Sequence, residues 1–272
     1  MDPHRFAIFC FAIFFIICLL HRLATRPAAP VGVEGMRMGV ASFFLIFPAY
    51  ILINVVLAAL VHFVSMKFEF SMAEKSGNVQ TIKLFVIQGI SVLLVLWGAC
   101  RWKLFRCDAP RHARSPIKFL GSAIYNAGVL IPLVCICAAI WEYCLGQLTI
   151  PRKEQVAVEI CRNASGNCLV LFAIQAAVFA PIIEEIFFRG FTYRALKGMT
   201  TGRVANIATA FMFALLHNNI YLFLPLFAMS MLLVNVYERS GNIREPILIH
   251  SFFNATNMII ILCGAAFHGA AS

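Results

Sequence analysis

Hydrophobic residues run along this chain in long uninterrupted blocks, without the alternation of soluble strands or the one-sided stripes of soluble helices. Eight blocks stand out, at residues 6–23, 39–64, 84–102, 119–141, 169–188, 204–218, 221–237 and 246–263. A helix needs about 20 mostly apolar residues to cross the hydrocarbon of a bilayer, and most of the blocks reach or approach that length. In lipid every backbone N–H and C=O must be paired within the structure, which favours helices. The pattern predicts an all-α fold, a polytopic transmembrane bundle of about eight spans. The sixth and seventh blocks are short and meet at Asn218-Asn219. They read as two spans, as one long kinked span or as a re-entrant pair, with Pro225 as the break. The first block follows Arg5 and reads either as a retained span or as a cleaved signal.

Composition agrees with lipid as the solvent. Hydrophobic residues make up 61% of the chain and charged residues 12%, against about 25% charged in a soluble domain. A water-soluble globular protein is thereby excluded. The formal net charge is +10, which in a soluble protein would direct attention to nucleic acid. Here the basic residues occupy short segments between apolar blocks, the pattern of topology signals and headgroup contacts, so the expected partner is the bilayer and no nucleic acid. The densest basic segment holds Arg101, Lys103, Arg106, Arg111, Arg114 and Lys118. Placing it in the cytoplasm puts both termini on the outer side and Arg239 and Arg244 on the inner one. The ten cysteines form no CxxC pair and read as small hydrophobes, with a Cys161–Cys168 pairing left open. Residues 1–150 carry spans of unassigned role and residues 151–272 carry the chemistry, in one continuous membrane domain.

An ionisable side chain in hydrocarbon costs about 2.5–3.5 kcal/mol at a helix centre, so each one asks for a function. Glu184-Glu185-Ile186-Phe187-Phe188-Arg189 ends the fifth block. Adjacent carboxylates leave a helix about 100° apart, so the two glutamates take different jobs. Glu185 and Arg189, four apart, form a self-neutralising pair, and Glu184 is left to act as a base; the plainer alternative is a juxtamembrane salt bridge beside a solvated carboxylate. Phe213 and His217 close the sixth block, where His217 is either a structural hydrogen-bonding residue or a catalyst. His250 and Asn254 share one face of the last block. They offer two donors suited to an oxyanion, or else an interhelical hydrogen bond of about 0.6 kcal/mol. Asn126, in the fourth block, reads as a packing residue or a helix–helix contact.

Taken in order, EExxxR, FxxxH and HxxxN on three successive hydrophobic regions resemble the CPBP family, the CAAX protease and bacteriocin-processing family of intramembrane proteases, which includes the type II CAAX prenyl endopeptidases. The resemblance covers about residues 178–261, including APIIEEIFFRG and YERSGNIREPILIHSFFN. It implies about eight spans around a water-filled intramembrane cavity. Glu184 and His217 would activate the attacking water, His250 and Asn254 would hold the oxyanion, and Glu185 and Arg189 would position the first motif. Two histidines and a glutamate are ligands zinc accepts, but the family pattern implies no metal and no cofactor. The implied substrate is a membrane-embedded peptide or a lipidated protein, prenylated proteins among them, and the implied location is the plasma (cell inner) membrane as a multi-pass protein. Two other classes compete. Intramembrane carboxylates and histidines also build proton-coupled transporters, and the same fold without catalysis would be an immunity or binding protein.

Overall fold

The computed structural model describes residues 33–36, 52–53, 55–61, 63, 77–101, 116–148, 150, 156–163 and 166–269. Among these residues all regular structure is helical. From residue 77 on, the helices in chain order are α1 Gly77–Arg101, α2 Pro116–Gln147, α3 Val156–Asn163, α4 Asn167–Met199, α5 Gly202–Leu216, α6 Ile220–Ser240 and α7 Arg244–Gly269.

Five of these are long and apolar enough to cross a membrane: α1 over Thr81–Cys100, α2 over Phe119–Gln147, all of α4, all of α6, and α7 over Arg244–Cys263. The protein is therefore a multi-pass membrane protein. Large apolar side chains such as Leu93, Trp97, Ile140 and Ile259 are exposed. In water they would form an aggregating surface; facing lipid they are the correct one. The first expected span, 6–23, lies outside the described residues. The second, 39–64, is described only at 52–53, 55–61 and 63, all of them helical.

The sixth block departs from expectation. Helix α5 has 15 residues, about 22 Å at 1.5 Å per residue, short of a 30 Å hydrocarbon layer. The break between α5 and α6 falls at His217–Asn219, not at Pro225. Asn218 takes the left-handed conformation (φ 48°), which asparagine tolerates better than most residues. Asn219 then caps α6, its side-chain Oδ1 accepting the Tyr221 N–H at 3.0 Å, one of the orphan donors that every helix start presents. Helix α6 runs on through Pro225. It ends at Gly241 (φ 64°), whose N–H donates to the Tyr237 carbonyl at 2.8 Å, a glycine-dependent helix stop.

The chain divides into two compact units. One comprises Met1–Val33, Cys107–Arg152 and Asn206–Ile249; the other comprises Glu34–Arg106, Lys153–Ala205 and His250–Ser272. In the first, α2 and α6 pack antiparallel. Trp141 Nε1 donates to the Ile220 carbonyl at 2.7 Å, and the Tyr221 hydroxyl donates to the Ile150 carbonyl at 2.7 Å. Near the opposite end of α2, Ser122 Oγ and Asn126 Nδ2 donate to the buried Glu245 carboxylate at 2.6 and 3.2 Å, so Asn126 makes the helix–helix contact its position suggested. In the second unit α1 packs on α4, with Phe85 and Phe179 rings 5.2 Å apart. Cys161 of α3, Phe172 of α4 and Met258 of α7 form a shared apolar cluster. Cys161 and Cys168 are both free thiols, which closes the pairing left open by the sequence.

Candidate active site

Helix α4 is not uniformly α-helical. Gln175–Phe179 and Ile186–Tyr193 are π-helical, and between them Ala180–Glu185 carries the first motif in α geometry. Single π turns inside α-helices recur at functional sites. The first has a local cause. Pro181 has no N–H and its ring crowds the carbonyl four residues back, at position 177. Within the widened turn the Ala180 N–H donates to the Gln175 carbonyl, bypassing its α-helical acceptor Ala176, and the proline cannot take its place. The Ala176 carbonyl instead accepts the side-chain Nδ2 of Asn254 at 2.8 Å. Asn254 on α7 thus repairs a fault that Pro181 opens in α4, and its second amide hydrogen is left for another acceptor.

The glutamates part as their spacing required. Glu185 is fully buried, and its Oε1 accepts Arg189 Nη1 at 2.8 Å, with Arg189 buried as well. The same oxygen accepts Nδ1 of the buried His250 at 2.8 Å. The carboxylate that pairs with Arg189 is an acceptor only, so the His250 proton sits on Nδ1 and Nε2 faces the other way. Glu184 is there: its Oε2 lies 3.8 Å from His250 Nε2, and its side chain keeps 27% of its surface exposed. One glutamate is locked in an ion pair that also orients an imidazole; the other stands at the opposite edge of that imidazole and is partly exposed. No sequence signal announced the Glu185–His250 contact, because the residues are 65 positions apart.

His217 belongs to the first unit, where it is exposed at the end of α5. Its Nδ1 lies 2.8 Å from the Phe213 carbonyl, and the Phe213 ring packs against the imidazole with centroids 4.8 Å apart. A carbonyl only accepts, so Nδ1 carries the hydrogen and Nε2 offers its lone pair. The FxxxH spacing is thereby explained: one residue supplies both the carbonyl that sets the tautomer and the ring that sets the plane. Among the described residues no group of three or more His, Cys, Asp or Glu side chains is arranged to hold a metal ion. Gln175, a buried amide that hydropathy hid inside an apolar run, was not singled out by the sequence.

A family model described as type II CAAX prenyl endopeptidase Rce1-like matches residues 166–256. Among curated proteins the chain is similar to the UPF0177 protein in abiGi 5'region of Lactococcus lactis subsp. cremoris, 35% identical over 92 residues. That stretch is 32% of this chain and 37% of the relative, so the chain spans little more than a third of the length of the relative it matches. No solved structure matches the chain. The matched interval opens one residue before α4 and closes inside α7, so it holds Glu184, Glu185, Arg189, His217, His250 and Asn254. Residues 166–256 are a domain of the Rce1-like type II CAAX prenyl endopeptidase family.

Proposed function

We propose that this protein is an intramembrane endopeptidase that hydrolyses a peptide bond of a membrane-anchored substrate, with Glu184 as general base. The observation that carries the reading is the chain of contacts Arg189–Glu185–His250–Glu184. A separation of 3.8 Å between Glu184 Oε2 and His250 Nε2 is too long for a hydrogen bond, and a water touching both groups spans it. Glu184 takes that water's proton as the oxygen attacks the scissile carbonyl. The charge that develops on the carbonyl oxygen is met by donors: the second amide hydrogen of Asn254, and His250 through Nε2. To donate there while Nδ1–H stays on Glu185, the ring must carry both protons, a cation offset by the nearby Glu184 carboxylate, since Glu185 is already paired with Arg189. The family resemblance adds His217, its tautomer set by Phe213, as a second group for activating the water.

Every group in this scheme is a protein side chain, and no metal or cofactor has a step in it. The substrate class is a membrane-embedded peptide or a lipidated, including prenylated, protein. The enzyme acts from the plasma membrane.

The test is cleavage of a membrane-anchored or prenylated peptide by the full chain in liposomes, with products identified by mass spectrometry. Removing a positioned acid–base group lowers rates by about 10²–10⁴-fold, and Glu184→Gln is expected to do so while leaving the helical content and melting temperature unchanged. Equal cleavage by Glu184→Gln removes Glu184 from the role of base. If pH-gradient-driven uptake of a solute appears in place of cleavage, the protein is a transporter.

A further inference from the structure

A groove of about 320 Å³ lies between α2 and α6 within the first unit, whereas Glu184 and His250 belong to the second. Helix α6 gives it Leu232, Asn235, Val236 and Arg239, at i, i+3, i+4 and i+7, the spacing of a single helix face. Leu133 of α2 lines its apolar end and Asn126 its polar end.

The two ends differ in chemistry. At the C-terminal end of α6, Arg239 is exposed and makes no ion pair or hydrogen bond with any described residue. Asn235 accepts from Asn206 Nδ2 through Oδ1 at 3.4 Å, and its own NH₂ has no acceptor among the described residues. Arg239 and Asn235 are one turn apart, so their donors converge on one point. Asn126 is not available to an anion, since its NH₂ is engaged by the Glu245 carboxylate and by Ser122. Seven residues along α6, about 10 Å, the lining is leucine from both helices.

Depth decides what fits. Helix α6 is a membrane span that ends at Ser240, so Arg239 stands at headgroup level while Leu232 and Leu133 lie in hydrocarbon. Arg239 and Arg244 mark this as the cytoplasmic side by the positive-inside rule. The occupant must carry an anion at the interface and a hydrocarbon chain running inward. A soluble anion leaves the leucine end empty, and a zwitterionic lipid brings its own cation to the arginine. Basic pockets between membrane helices hold anionic headgroups by this complementarity.

We propose that the α2–α6 groove binds one anionic phospholipid, its phosphate on Arg239 and Asn235 and one acyl chain along Val236, Leu232 and Leu133. This site does not depend on the protein being a protease.

The full chain is purified in neutral detergent and titrated with phosphatidylglycerol or phosphatidylcholine, and retained lipid is read by native mass spectrometry. One phosphatidylglycerol is expected to be retained at about five- to tenfold lower concentration than phosphatidylcholine. Arg239→Gln removes that preference, Leu133→Trp blocks retention by filling the groove, and Arg203→Gln, which deletes an exposed arginine elsewhere, changes neither. Millimolar inorganic phosphate does not displace the lipid. Equal retention of the two lipids overturns the proposal, as does equal weakening by Arg239→Gln and Arg203→Gln, which would mean diffuse attraction to charge. Displacement by inorganic phosphate also overturns it, because the groove would then be a free-anion site.

Discussion

Glu184 and Glu185 differ by one position and by nearly everything else. Glu185 has two charge-assisted donors on a single oxygen in a fully buried setting, whereas Glu184 is partly exposed and faces the edge of an imidazole. Removing one partner of a buried ion pair strands the other and costs about 3–5 kcal/mol. Arg189→Ala is therefore expected to lower stability by that amount in a thermal or denaturant melt in detergent, with loss of activity following loss of fold. Glu184→Gln should show the reverse, activity lost and stability kept. Asn254→Ala separates two jobs of one amide. Losing the donor to the Ala176 carbonyl should cost about 1–3 kcal/mol, and losing an oxyanion donor should lower kcat by about 10²–10³-fold. A folded Asn254→Ala protein with unchanged kcat would leave Asn254 with the structural job alone. Of these relations the four-residue spacing revealed Glu185–Arg189, because a helix turns spacing into a contact. Nothing in the sequence reveals Glu185–His250 or Asn254–Ala176, which exist only once helices far apart in the chain have packed.

At the level of elements, hydropathy located the long helices and missed their irregularities. Expected blocks 119–141, 221–237 and 246–263 each lie within an observed helix of span length, and block 84–102 overlaps one that is described to Arg101. The block at 169–188 continues as a helix to Met199, because Arg189, Thr192, Arg194 and Lys197 interrupt the hydropathy and not the helix. The π segments of α4 are invisible to a scale that counts apolar residues, although Pro181 inside a long helix was a mark of local disturbance. Sequence also gave no notice that residues 34–36 lie along the end of α4. There the Met36 N–H donates to the Arg194 carbonyl at 2.7 Å, and Arg194 Nε donates to the Glu34 carbonyl at 3.1 Å. The approach is a backbone-to-backbone one. A Cβ on Gly35 would come within 2.7 Å of the Gly198 nitrogen, closer than packed atoms allow. Gly35→Ala is expected to force these strands of backbone apart at a cost of about 1–3 kcal/mol, read as a lowered melting temperature with the Glu184–His250 chemistry intact in the surviving folded fraction.

For the molecule as a whole, class was the most legible property and the site the least complete. A chain with 61% hydrophobic residues must use lipid as part of its solvent, and the five span-length helices among the described residues agree with that. The three motifs were legible because each places ionisable groups where hydrocarbon penalises them, and they all fall within the matched family domain. His217→Ala is expected to lower kcat by about 10²–10⁴-fold if its Nε2 shares in water activation, with little change in stability, since the residue is exposed. The central claim is that Glu184 and His250 act on one water as a unit, and groups that act as a unit are non-additive when removed together. A double-mutant cycle on kcat/KM for cleavage of a membrane-anchored peptide, using Glu184→Gln, His250→Ala and the double variant, measures this directly. The predicted result is that the double variant is no slower than the slower single variant. Losses that multiply would contradict the account, because two independent groups would then be responsible.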